Sequence, residues 1–123
     1  MNNFSIGTDI EDLSRFEGKN PENDMLFFRK IYTNSEIEYC FSHKNPASHL
    51  CARFCAKEAV VKALSDFDIK DVYYRDIEIL NREDGSPFVI LNKYPHLSVK
   101  ISLSHCKTYA VAMALVYTNT ICA

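Results

Sequence analysis

Beyond Asp68 the apolar residues of this chain stop recurring with a helical period and begin to alternate, and this change limits the fold more than any other feature of the sequence. Upstream, residues 48–64 carry Leu50, Phe54, Val61 and Leu64 on one stripe, among the strong helix formers Ala52, Ala56, Ala59 and Ala63. Glu58 falls within that stripe. Downstream, Ile77 and Ile79 alternate with Asp76 and Glu78, and Asp84-Gly85 supplies a hairpin turn into residues 88–91. Two more alternating runs follow, Val99, Ile101 and Leu103 against Lys100, Ser102 and Ser104, then Val111, Met113, Leu115 and Tyr117. In the last run the other face is Ala110, Ala112 and Ala114, small enough for a helix or a second subunit to approach closely.

The N-terminal part fits the same scheme. Residues 4–10 alternate, with Phe4, Ile6, Thr8 and Ile10 on one face and Ser5, Gly7 and Asp9 on the other, which predicts a first strand presenting a carboxylate. Gly18, Asn20, Pro21 and Asn23 mark a bend, after which Asp24 is read as the cap of a short helix through Phe27, Phe28 and Ile31. Thr33 and Glu36 form a capping box, in which hydroxyl and carboxylate satisfy each other's free backbone amides, and Ile37, Cys40 and Phe41 give the following helix an apolar face. The expected class is α+β, helices in the N-terminal half packed on a mainly antiparallel sheet, with residues 1–123 as a single domain.

Composition closes off other classes. A chain with 47% hydrophobic and 24% charged residues is neither disordered nor fibrous. Its net charge of -2 leaves no global positive field for nucleic acid, so any anionic partner must be met by a local cluster. The start Met1-Asn2-Asn3-Phe4 lacks the basic and apolar regions of a leader, and no apolar run is long enough to span a membrane, so a cytoplasmic protein is expected, with no membrane partner. Five cysteines without a Cys-x-x-Cys pair are expected to be reduced thiols.

Glu58 stands out chemically, because Phe54 and Val61 flank it on the helix and a half-buried carboxylate needs a partner. Lys62, four residues on, would make the plain helix ion pair, worth a few tenths of a kcal/mol. Asp9 alone would be an ordinary solvated acid. Together, two carboxylates and nearby cations suit phosphoryl chemistry, because magnesium prefers oxygen ligands, keeps waters and bridges to substrate phosphates. His105, in the turn after Ser102 and Ser104, is placed to donate to a phosphate oxygen.

Three blocks in order then carry a resemblance. Ile6-Gly7-Thr8-Asp9-Ile10 followed by Arg15, then Ala52-Arg53-Phe54-Cys55-Ala56-Lys57-Glu58-Ala59-Val60-Val61-Lys62-Ala63, then Ile101-Ser102-Leu103-Ser104-His105 leading into Tyr109, resemble the holo-acyl-carrier-protein synthases, a 4'-phosphopantetheinyl transferase family. The resemblance runs from residue 5 to about 117. It implies the 4'-phosphopantetheinyl transferase fold, and transfer of the phosphopantetheine arm of coenzyme A to a serine of apo acyl carrier protein in fatty acid biosynthesis, releasing adenosine 3',5'-bisphosphate. It further implies a magnesium ion held by Asp9 and Glu58, coenzyme A contacts from Arg53, Lys62, Ser104 and His105, and catalytic roles for Glu58 and Lys62. Glu58, directly or through a water on the metal, is the implied base. Arg15 and Arg29, with Lys30, are the implied docking cations for an acidic carrier protein. Trimers are implied too, and the alanine face of residues 110–114 is then expected between subunits. The sequence departs from the family after Leu64, where Ser65-Asp66-Phe67-Asp68-Ile69-Lys70 contains no glycine, and at Cys106, read as a small packed residue.

Overall fold

The helical pattern at residues 48–64 becomes the longest helix, α3 (Pro46–Ser65). The computed structural model describes residues 3–119, which leaves Cys122 outside the described residues. Before α3 come β1 (Phe4–Asp12), α1 (Pro21–Ile31) and α2 (Asn34–Phe41), and after it β2 (Ile77–Asn81), β3 (Pro87–Leu91), β4 (Leu97–His105) and β5 (Tyr109–Thr118). The class is α+β as the periodicity predicts. The strands form two antiparallel sheets, β1-β5-β4 and the hairpin β2-β3, with β3 alongside β4 but not hydrogen-bonded to it. Among the described residues, no helix is long and apolar enough to cross a membrane.

Local chemistry explains the boundaries. α1 starts earlier than expected because Asn20, not Asp24, is its cap: the Asn23 amide donates to Asn20 Oδ1 at 3.0 Å and Pro21 follows with its φ already helical. Asp24 sits at a kink inside the helix, and its Oδ2 accepts from the Asn20 amide at 3.0 Å. The capping box of α2 forms as read, with the Glu36 amide 3.3 Å from Thr33 Oγ1 and the Thr33 amide 2.9 Å from Glu36 Oε1. Gly85 takes φ +89° in the β2-β3 turn. After α3, Asp68 takes the left-handed φ of 60° that glycine usually supplies, while the Ile69 amide reaches back to Leu64 O at 3.1 Å and the Asp68 amide to Ser65 O at 3.0 Å. That is a Schellman termination without its glycine.

The larger surprise is which sheet face turns inward. Cys51, Cys55, Ala59 and Ala63 recur every four residues on α3, and this small stripe lies along β1. Cys55 Sγ donates to Asp9 O at 3.2 Å, and Ser5 Oγ donates to Ala63 O at 2.6 Å. At Gly7 a β-carbon would stand 2.0 Å from Ala59 O. Helix and strand therefore approach closely only because both faces are small. Ala110, Ala112 and Ala114 of β5 are fully buried in the same layer, under α3 of their own chain. The expectation that this alanine face lies between subunits is thus corrected: a helix of the same chain covers it. The other face, with Phe4, Ile6, Ile10, Tyr109, Val111 and Met113, is exposed, Phe4 and Ile10 to 62% and 61%.

Around α3 the core is aromatic near α1, where Phe16, Phe28, Tyr32 and Phe54 are buried. The cysteines Cys40, Cys51, Cys55 and Cys106 are free. Burial pushes the Cys40 and Cys51 thiols up to about 12, so both stay protonated packing residues at neutral pH. Cys106 differs from expectation. It is exposed, and backbone amides of Thr108 and Tyr109 lower its pKa.

Candidate functional site

Because Gly7 and Ser5 let α3 settle onto β1, the next inward residues of that strand, Asp9 and Glu11, meet the helix side chains. Lys62 Nζ pairs with Asp9 Oδ1 at 3.2 Å and donates to Thr8 O at 3.0 Å, so its partner is Asp9 and not Glu58 one turn earlier. The pair is lopsided, the Asp9 side chain 9% exposed and that of Lys62 54%. Among the described residues, Asp9 Oδ2 is buried without a hydrogen-bond partner. A buried carboxylate oxygen left open is costly, and it marks a place where a cation or donor is expected.

Glu58 is held from the other side. Tyr74, in the turn Tyr74–Asp76 before β2, donates its hydroxyl to Glu58 Oε1. That bond is the main reason the phenol is pushed up to about 12 and stays a donor. The turn is itself fixed by Lys57, fully buried, whose ammonium donates to Glu36 Oε1 at 2.7 Å, Ile77 O at 2.6 Å and Tyr74 O at 2.9 Å. Glu11 stands beside Asp9. Burial first, then the Asp9 carboxyl, raise Glu11 to about 7, while Arg15 at 2.9 Å works the other way. Among the described residues no group of three or more His, Cys, Asp or Glu is gathered as for zinc. Two carboxylates with one open oxygen instead suit an ion that keeps waters and takes further ligands from a substrate, which is the coordination habit of magnesium.

The opposite flank of α3 carries the remaining expected residues. Arg53 is buried, its Nη2 donating to Asn81 Oδ1 at 2.5 Å, and with His105 it lines a cavity of about 380 Å³. Ser104 is not in that lining. It stands opposite Val111 on the outer face of the sheet, whereas Ser102 reaches the cavity edge. Arg15 is exposed over the Phe54 ring at 5.0 Å, and Arg29 and Lys30 are exposed on the last turn of α1.

Sequence reasoning missed four participants. Glu11 was findable, since it follows Asp9 by two residues on one strand face. Glu36 was read only as a capping residue, although it also binds Lys57 and the Ile79 amide at 3.0 Å. Lys57 was read without a role, and Tyr74 lies where periodicity is silent.

Comparison with known proteins finds relatives over most of the chain. The profile of the 4'-phosphopantetheinyl transferase superfamily matches residues 5–114. The holo-[acyl-carrier-protein] synthase of Chlorobaculum parvum is 43% identical over 115 residues, which cover 92% of this chain and 97% of that protein. That of Protochlamydia amoebophila is 37% identical over 117 residues, 91% of this chain and 96% of its own. Among solved structures, the Bacillus anthracis holo-(acyl-carrier-protein) synthase in complex with CoA (3',5'-ADP) superposes with TM-score 0.77 at 32% identity, covering 93% of this chain and 96% of its own. The Helicobacter pylori enzyme in complex with coenzyme A gives 0.76 at 30% identity, covering 90% and 98%.

Proposed function

Because the chain belongs to the 4'-phosphopantetheinyl transferase superfamily, we propose that it is a magnesium-dependent holo-acyl-carrier-protein synthase, transferring 4'-phosphopantetheine from coenzyme A to a serine of apo acyl carrier protein. The observation that carries this reading is the open, buried Oδ2 of Asp9 beside Lys62, on the helix flank that also bears Glu58.

In the reaction the serine oxygen attacks the pantetheine-side phosphorus of the coenzyme A pyrophosphate. The new P–O bond replaces the bond to the leaving phosphate, and adenosine 3',5'-bisphosphate departs with the bonding pair. Glu58, oriented by the Tyr74 hydroxyl, takes the serine proton. Lys62 stabilises negative charge on the leaving phosphate, for which its exposed ammonium is free to swing from Asp9. A magnesium ion held by Asp9 and Glu58, when bound, would neutralise the pyrophosphate and the charge that develops on it. Arg53 and His105 receive another phosphate of coenzyme A on the far flank of α3.

Arg15 and Arg29, exposed near α1, are the docking cations for an acidic carrier protein. The exposed apolar face of β1 and β5 is the assembly surface of a homotrimer, since monomers rarely leave so large an apolar patch uncovered. The enzyme acts in the cytoplasm, in fatty acid biosynthesis. Asp9→Asn and Glu58→Gln should each cut transfer at limiting magnesium by about a hundredfold or more. Near-parental turnover in both variants would remove the two-carboxylate site.

A further inference from the structure

The transfer chemistry occupies one flank of α3 and leaves unexplained a cluster of rings on the other. Arg53 is 4% exposed, and its guanidinium lies 4.1 Å over the Tyr39 ring. Its Nη2 bonds Asn81, but its Nε is buried with no partner among the described residues. An arginine so enclosed is fixed in direction yet unsatisfied, and the cavity it lines also takes His49, His105 and Ser102. His49 in turn stacks on His43, ring centroids 4.0 Å apart, and meets Tyr39 edge-on at 5.7 Å. His43 Nδ1 lies 2.7 Å from Tyr39 O, and because a carbonyl only accepts, that nitrogen carries the proton.

The groups that face His49 come from every side of the cavity. They are Tyr39 and His43 from α2 and the turn after it, Arg53 from its own helix, and His105 from the end of β4, while the β2-β3 hairpin contributes Asn81, Gly85 and Pro87. None of these is an anion. Burial and then His43, Arg53 and His105 lower the pKa of His49 from its ordinary 6.5, so it is neutral at pH 7 in the free protein. A phosphate entering the cavity reverses that field.

We propose that His49 takes up a proton from solvent when the coenzyme A phosphate already assigned to Arg53 and His105 enters this cavity. The proposal rests on the transferase reading, and it makes substrate affinity depend on pH through a residue outside the reacting centre. The sign is fixed by linkage: a histidine whose pKa rises on binding takes up protons between its free and bound values, so affinity grows as pH falls through the bound value. A phosphate monoester, with its own second pKa near about 6, would shift the opposite way beside Arg53 and release a proton. Net uptake therefore points to the protein.

Calorimetric titration of coenzyme A at pH 7, in buffers of different ionisation enthalpy, reads the proton count directly. Uptake of about half to one proton per site is expected. His49→Gln should abolish it, and should weaken binding by about tenfold at pH 6.5 but less than about threefold at pH 8.5. The unmodified protein gives a second reading that no folding defect can confuse, because the His49 ring resonance in NMR should report a pKa higher by about one unit or more with coenzyme A bound. Binding with no dependence on buffer, uptake that persists in His49→Gln, or a His49 pKa unmoved by coenzyme A would each overturn the proposal. Failure to bind coenzyme A at all would overturn the transferase reading, and this one with it.

Discussion

Replacing Lys57 by methionine should cost more stability than any exposed substitution in this chain, although the new side chain has nearly the same length. The Lys57 and Glu36 side chains are both fully buried and meet at 2.7 Å. All three protons of the ammonium have acceptors, Glu36 and the carbonyls of Tyr74 and Ile77. Removing the cation strands a carboxylate inside the protein, which typically costs about 3–5 kcal/mol. Against a total of about 5–15 kcal/mol for a domain, that is a large share, and it should lower Tm by roughly 10–20 °C. Burial also holds the Lys57 pKa below its ordinary 10.5 while Glu36 opposes the shift. Charging this lysine is therefore costly in itself, and Glu36→Gln in the Lys57→Met background should recover part of the loss. Equilibrium unfolding in urea measures both variants against the parent. A Lys57→Met loss below about 1 kcal/mol would refute the reasoning, because it would mean that the pair is hydrated or relaxes freely.

Substitutions at three further positions probe separate features. Gly7→Ala puts a β-carbon 2.0 Å from Ala59 O and 2.8 Å from Ala63 N, both helix backbone, so a loss of about 2–3 kcal/mol is expected in the same unfolding assay. Asp68→Gly relieves a left-handed φ of 60° and should gain about 0.5–1 kcal/mol, visible as a rise of a few degrees in calorimetry. Lys62→Ala takes the cation from an Asp9 side chain only 9% exposed and should lower Tm by a few degrees, but its larger effect is a fall in kcat/KM worth about 2–4 kcal/mol of transition-state stabilisation, with Lys62→Arg only a partial substitute. Steady-state kinetics within about threefold of the parent for Lys62→Ala would reduce this residue to an ion-pair partner.

Element type was legible wherever the period was long and clean. The helix at residues 48–64, the capping box at Thr33 and Glu36, and the Asp84-Gly85 hairpin all stand where the pattern puts them. Sidedness was harder to read. In β1 the large residues Phe4, Ile6 and Ile10 face out while Ser5 and Gly7 face α3, because the helix offers Cys55, Ala59 and Ala63 and only small residues fit such close contact. A helix stripe and a strand face can be matched in this way only once their pairing is known, and no single window of sequence contains both. The same holds for the site. Asp9 and Lys62 meet across 53 positions of chain, and Lys57 reaches the Tyr74 carbonyl from a different turn of α3 than the one that carries Lys62. Asp9, Glu58 and Lys62 could nevertheless be named as candidates from the sequence, because their residue types and order resemble a known motif. Tyr74 was not, since a phenol in a loop carries no periodic signal.

The central claim is a covalent transfer, and the intact mass of an apo acyl carrier protein incubated with coenzyme A, magnesium and this protein tests it most directly. The account predicts that the carrier gains the mass of one phosphopantetheinyl group on serine, with release of an equal amount of adenosine 3',5'-bisphosphate, and that neither occurs when magnesium is chelated. A carrier of unchanged mass under conditions where coenzyme A demonstrably binds, or hydrolysis of coenzyme A without modification of the serine, would contradict it.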